Sequence, residues 1–171
     1  MIKKRMIWLF GLSGSGKTTL SRLLAEKLES LGRTVIRLDG DELRAGLNAD
    51  LGFSNEDRAE NIRRASHLAK LLVKRNIVCI GSFITPLDVH RQVVSRILGE
   101  ELLLVYLDCP ADECERRDVK GLYRKARKHL ISEFTGVSAS FELPPPTILS
   151  IDTKRYTPEE SVEILWRRLA E

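Results

Sequence analysis

Eleven residues near the start, "GLSGSGKTTLS" (11–21), hold the densest chemistry in the chain. Gly11, Gly16, Lys17 and Thr18 fit the pattern G-x-x-x-x-G-K-[ST], with Ser13, Gly14 and Ser15 inside the loop and Thr19 just after it. From average composition, a match of this kind arises by chance in roughly one chain in a hundred of this size. The context strengthens it, because an apolar run precedes the loop and an amphipathic stretch follows. Consecutive backbone N–H groups can line a concave nest only where side chains stay away, and glycine permits the dihedrals this requires. The following helix N-terminus adds its positive dipole end. Lys17 then supplies a charge to the β- and γ-phosphates of a nucleotide such as ATP, and the Thr18 hydroxyl is placed to ligate Mg²⁺. A plain Gly-Ser turn is the competing reading, and it leaves the lysine and the two threonines without a purpose.

Two further stretches carry chemistry. In "LDGDELR" (38–44), Asp39 and Asp41 flank Gly40 after an apolar run, where α/β sheets hold ligands. One carboxylate can hold a metal or its waters while the other accepts a proton from an attacking hydroxyl. Equally, Asp41 could cap a helix starting at Glu42, and the spacing leaves both readings open. Arg44 either meets an anionic substrate or is a solvated helix residue. In "GFSNEDRAENIRR" (52–64), Arg58, Asn61 and Arg64 fall at helical spacing. Two arginines and an amide suit a phosphate or sulfate and a base edge, although a solvated charged face is the commoner origin of such a run. Phe53 either stacks on a base or caps the core.

The elements that must position these residues are legible as alternating patterns. Apolar runs at 6–10, 34–39, 77–83, 102–108 and 147–152 read as strands; the second, third and fourth look buried on both faces. A stripe of Leu20, Leu23, Leu24, Leu28 and Leu31 makes a helix that ends at Gly32. Ile62, Ala65, Ala69, Leu72 and Val73 mark a second helix, and residues 87–98 and 158–170 two more, the last with Thr157 as N-cap. Alternating strand and helix implies an α/β fold with a parallel sheet covered on both faces. Residues 110–146 are polar and basic with few apolar anchors, which predicts a mobile helical lid.

Composition bounds the rest. With 171 residues the chain reads as a single domain, and a net charge of +4 fits an anionic small substrate but is too small to argue for nucleic acid. The apolar run after "MIKKR" is short, lacks a small-residue cleavage site and leads straight into the glycine loop, so it is not read as a signal peptide. No run approaches a membrane span, and the expected location is cytoplasmic. The three cysteines, Cys79, Cys109 and Cys114, lack paired metal spacing, and the first and second read as small core residues. His67, His90 and His129 show no mutual ligand spacing; His67 reads as a helix residue at the core edge and the other two as surface residues.

Taken together, "GLSGSGKTT", "LDGDELR", "LGFSNEDRAENIRR", "SFITP", "CERRDVKGLYRKAR" and "EFTG" resemble, in order and spacing, the adenylylsulfate kinase (APS kinase) family. The resemblance runs through nearly the whole length. It implies a P-loop NTPase/kinase fold with a five-stranded parallel sheet flanked by helices and a mobile lid. It implies phosphorylation of the 3′-hydroxyl of adenosine 5′-phosphosulfate by MgATP. On that basis Lys17, Asp39 and Asp41 carry the chemistry, with Asp41 the base and Thr18 and Asp39 serving the metal. Arg44, Arg58 and Asn61 bind the substrate nucleotide, Phe53 and Phe141 sandwich its base, and Lys120 and Leu122 approach from the lid. Ile84 and Thr85 stand at the substrate site. Arg116, Arg117 and Arg124 are candidates for charge stabilisation, with Arg117 also at the ATP site. The family is often dimeric, so a homodimer is an expectation.

The chain departs from the family pattern in places. Where the family reads F-I-S-P followed by an aromatic, Thr85 replaces the serine, Leu87 replaces the aromatic and Asp88 follows. The usual Pro-Tyr-Glu after "FTG" appears as Ser140-Phe141-Glu142. Two other readings compete with the leading one. A related kinase acting on a cytidine diphosphate derivative, such as the phosphoramidate, would use residues 85–88 for a group other than sulfate. A nucleotide-binding regulatory module without transfer activity would not need Lys17, Thr18, Asp39 and Asp41 together.

Overall fold

The computed structural model describes residues 4–170. Its frame is a five-stranded parallel sheet in the order β2-β3-β1-β4-β5, with β1 Met6–Phe10, β2 Val35–Asp39, β3 Val78–Phe83, β4 Leu102–Asp108 and β5 Leu149–Asp152. The helices between them are α1 Lys17–Ser30, α2 Gly40–Ala45, α3 Asn55–Val73, α4 Asp88–Leu98, α5 Ala111–Arg117, α6 Leu122–Arg127 and α7 Pro158–Ala170. The chain leaves β1 toward β2, returns through β3, and then crosses to the other side of β1 with β4. The change of direction opens a crevice at the carboxyl ends of the strands. Phe10, Asp39, Phe83 and Asp108 all end their strands at that edge.

Central position explains composition. Every residue of β1 and of β3 is buried. Along β1 the side chains alternate by the two-residue period: Ile7 and Leu9 join a cluster with Leu20, Leu24 and Leu28 of α1 and Leu165 and Leu169 of α7. Met6, Trp8 and Phe10 join the opposite cluster, with Ile62, Ala65 and Ala69 of α3 and Val94 of α4. The Trp8 and Phe83 rings stack there at 4.4 Å. The second strand is a correction to the expectation of two-sided burial. It lies at the sheet edge, Arg37 is exposed, and only Leu38 is fully buried, because strand order rather than Val/Ile content sets exposure.

Helix ends follow their cap residues. Ser54 Oγ accepts from Asp57 N at 3.1 Å to start α3. Thr157 Oγ1 accepts from Glu160 N at 3.2 Å while Glu160 returns to Thr157 N at 2.8 Å, a capping box for α7. Gly32, at φ +74°, turns the chain out of α1.

The stretch 110–146 holds α5, α6 and irregular chain. Contrary to the reading of few anchors, it buries Cys114, Tyr123, Ala126 and Phe134 in one apolar cluster with Leu12 and Cys109, and Ile131 and Val137 pack against it. Tyr123 meets Phe134 edge-on at 4.9 Å, and its hydroxyl donates to Ser13 O at 3.0 Å, tying the segment to the phosphate loop. All three cysteines are buried and free. His90 is also buried, not a surface residue, because α4 packs against α3 and the ring lies near the Asn55 backbone at the start of α3. Among the described residues, no helix is long and apolar enough to cross a membrane.

Candidate active site

The loop after β1 gets its shape from glycine. Gly14 stands at φ +81°, and a Cβ there would come within 2.8 Å of Cys114 O at the start of the lid segment. Gly16, at φ +96°, precedes α1 and offers no side-chain cap, so the first amides of α1 are left for a ligand. Gly14, Gly16, Lys17, Thr18, Thr19 and Ser13 all line an 840 Å³ cavity at the carboxyl edge of the sheet. Two other residues of the pattern stand behind it. Ser15 is fully buried, and a Cβ on Gly11 would meet Leu107 O at 2.7 Å, so these two build the loop without lining the cavity.

The Lys17 ammonium folds onto its own loop, donating to Gly11 O at 2.9 Å and Leu12 O at 2.6 Å. Loss of hydration pushes its pKa down to about 8, against a partial counter-pull from Asp39 and Asp41. Opposite, Asp39 uses its two oxygens differently. Oδ1 accepts from Asp41 N at 2.9 Å and caps α2, while Oδ2 faces the Thr18 hydroxyl at 3.4 Å. The cap of α2 is therefore Asp39, not Asp41. The Asp41 carboxylate is exposed, projects over the cavity and pairs with Lys120 of the lid segment, which raises the lysine pKa. A hydroxyl and a carboxylate oxygen converging beside a phosphate loop are the hard oxygen ligands that Mg²⁺ takes, so the residues present fit that ion.

The far wall combines cations with an aromatic ring. Arg44 reaches the carbonyls of Leu51 and Gly52 at 3.2 and 2.5 Å, and its guanidinium lies 4.6 Å from the Phe53 ring. Arg58 donates to Phe53 O at 2.9 Å and to Glu133 O at 2.6 Å, fastening α3 to the lid segment, and stands 5.7 Å from the same ring. Burial lowers the pKa of both arginines from the ordinary value, and a guanidinium stays charged regardless. Phe53 itself is 56% exposed, so it caps no core and its ring is open to stacking. Asn61 is on the same wall. Arg64 is not: it is held by Asp50 at 2.7 Å and Glu60 at 2.8 Å on the outer side of α3.

Ile84, Thr85 and Leu122 line the cavity as well. Thr85 is 1% exposed with φ +46°, a left-handed conformation uncommon for a β-branched residue. Its hydroxyl accepts from Trp8 Nε1 at 2.9 Å, which turns it to the core. Of the altered positions 85–88, Leu87 and Asp88 stand off the cavity, where Asp88 N donates to Glu142 at 2.6 Å. Phe141 is the clearest displacement from expectation. Its ring stacks on Tyr106 at 5.8 Å, away from the lining, while Phe134 lines the cavity in its place. Among the three lid arginines only Arg117 reaches the lining. It bonds Thr153 O at 2.8 Å and Gly14 O at 3.5 Å, while Arg116 turns outward to Glu113 and Arg124 is exposed off the cavity. Glu113, which bonds both Arg116 and Arg117, is held down to about 2 by them.

Several lining residues had no assigned role in the sequence, and three of them carry chemistry. Ser82 and Thr135 present buried hydroxyls with no partner, and Phe134 presents its ring. The signal was available, because "SFITP" and "EFTG" contain them, but no periodicity singles them out.

Comparison with known proteins agrees with this geometry. The profile of the family described as Adenylylsulphate kinase matches residues 3–152. The chain is 50% identical over 161 residues to the adenylyl-sulfate kinase of Phocaeicola vulgatus, covering 94% of this chain and 79% of the relative. It is 48% identical over 170 residues to that of Staphylococcus epidermidis, covering 99% and 85%. Among solved structures, the Mycobacterium tuberculosis APS kinase CysC in complex with AMPPNP and APS superposes with a TM-score of 0.94 at 39% identity, covering all of both chains. With a phosphate loop, an acidic pair and an arginine–aromatic wall sharing one cavity, and with this likeness over nearly its full length, the chain belongs to the adenylylsulphate kinase family of P-loop kinases.

Proposed function

We propose that the chain transfers the γ-phosphoryl group of ATP to the 3′-hydroxyl of adenosine 5′-phosphosulfate. The observation that carries this reading is one cavity with two unlike walls. A phosphate loop with Lys17 forms one wall; Arg44, Arg58, Asn61 and Phe53 form the other, and Asp41 stands between them. Lys17 and the first amides of α1 hold the β- and γ-phosphates, and Arg117 lies beside that end. Asp41, released from Lys120 when the acceptor enters, takes the proton from the 3′-hydroxyl as the new O–P bond forms and the bond to ADP breaks. Arg44 and Arg58 face the acidic groups of the acceptor, and Phe53 with Phe134 encloses its base. Lys120 and Leu122 close over it. Thr18 and Asp39 would hold Mg²⁺, which neutralises charge on the transferred group when bound.

Incubation with MgATP and adenosine 5′-phosphosulfate, followed by phosphorus NMR, tests the proposal. A new monoester resonance coupled to the ribose 3′ proton is expected. Release of ADP without that resonance would mean that water, not the ribose, is the acceptor.

A further inference from the structure

Asn48 is fully buried, lies outside the cavity and has no place in the chemistry above. Its main-chain N donates to Leu43 O at 2.7 Å, which fixes the turn after α2. Its side-chain Nδ2 donates to Asn61 Oδ1 at 2.8 Å, and its own Oδ1 has no partner. A buried amide oxygen left unpaired is costly, and a leucine of similar volume would fill the space without that cost. Packing therefore does not explain an asparagine here.

Its effect on Asn61 does. Asn61 is 4% exposed and lines the cavity. An amide can present either an acceptor oxygen or two N–H donors, and the two orientations have nearly the same shape. The bond from Asn48 holds Oδ1 inward and so turns Nδ2 to the cavity. Arg58, one turn earlier on α3, offers only donors as well. This patch of wall is thereby made all-donor, matched to lone-pair atoms of a nucleotide and mismatched to N–H groups.

We propose that Asn48 is a positioning residue that sets the Asn61 amide as a hydrogen-bond donor to the acceptor nucleotide. The inference rests on the acceptor reading above, so turnover of adenosine 5′-phosphosulfate by the parent chain is measured first; its absence would sink that reading and not the amide pairing. Then Asn48→Leu is compared with the parent, alone and combined with Asn61→Ala. The expected result is an acceptor KM raised about fivefold, an ATP KM within about twofold, and no further rise when Asn48→Leu is added to Asn61→Ala. Equal rises in both KM values, or effects that multiply in the double variant, would overturn the proposal, since a merely structural residue acts without passing through Asn61. Asn48→Asp covers the case of a poorly folding leucine variant. A carboxylate only accepts, so it turns the Asn61 amide around, and the acceptor KM is expected to rise further than with leucine. An acceptor KM unchanged in Asn48→Asp would equally overturn it.

Discussion

Lys17 shows what a single residue contributes and how its environment shapes it. Its pKa near 8, well below the ordinary 10.5, comes mainly from lost hydration. The folded chain therefore holds this proton less tightly than the unfolded chain. The resulting penalty on folding is full below about pH 8 and is relieved as pH rises toward 10.5. Polyphosphate acts in the opposite direction and pulls the proton back. ATP binding at about pH 8.5 should accordingly take up a fraction of a proton, and affinity should fall as pH rises through 8. Calorimetry in two buffers of different ionisation enthalpy reads this directly, and Lys17→Met should show no uptake. Uptake that survives in Lys17→Met would assign the proton elsewhere. Asp41 makes a separate prediction. Because Asp39 rather than Asp41 caps α2, Asp41→Asn should leave ATP affinity within about twofold and cut turnover by roughly 10²–10⁴. An equal loss of ATP binding would make Asp41 a structural or metal-holding residue instead.

Between elements, the decisive contact is the approach of the phosphate loop to Cys114 in the middle of α5. Gly14 has no room for a Cβ, since Cys114 O would be 2.8 Å away, whereas a Cβ at Gly16 would meet nothing closer than 4.0 Å. Both positions have positive φ, so both pay a dihedral cost with alanine, but only Gly14→Ala adds a clash, worth roughly 1–3 kcal/mol. Thermal unfolding should show Gly14→Ala destabilised more than Gly16→Ala; equal losses would mean that the lid segment does not press on the loop. This contact could not be read from the sequence. The loop itself could, because its pattern is local and its chemistry is written in eight consecutive positions, Gly11 to Thr18. The helices on either face could too, from their apolar stripes and cap residues. The lid segment could not, because Phe134 and Phe141 occupy irregular chain where no period says which ring turns inward, and Tyr123 sits on a helix of only six residues, too short to show a stripe. That is why Phe141 was matched to a stacking role while Phe134 occupies the cavity wall.

At the scale of the whole molecule, one sheet edge gathers residues separated by more than a hundred positions. Lys17, Asp39, Arg58, Thr85, Arg117 and Phe134 belong to different elements and meet only because all five strands are parallel. Alternating strand and helix patterns made that topology legible, and with it the edge where ligands bind. The strand order was not legible, so β2 was read as two-sided and proved to be an edge strand. The altered positions 85–88 show the same limit. In sequence they adjoin the site, yet Leu87 and Asp88 turn to Glu142 and α4, and the Thr85 hydroxyl turns to Trp8. The changes at 87 and 88 thus fall off the cavity, while Thr85 stays in its wall with the hydroxyl turned to the core. A wall still built for adenosine 5′-phosphosulfate makes a sharp prediction about which acceptor is phosphorylated. ADP release from MgATP is followed with adenosine 5′-phosphosulfate and, side by side, with cytidine diphosphate derivatives including the phosphoramidate. Turnover at micromolar adenylyl sulfate, with the cytidine compounds inert, is the predicted result. Turnover on a cytidine compound without any on the adenylyl sulfate would contradict the claim and show that the same phosphate chemistry serves a different acceptor.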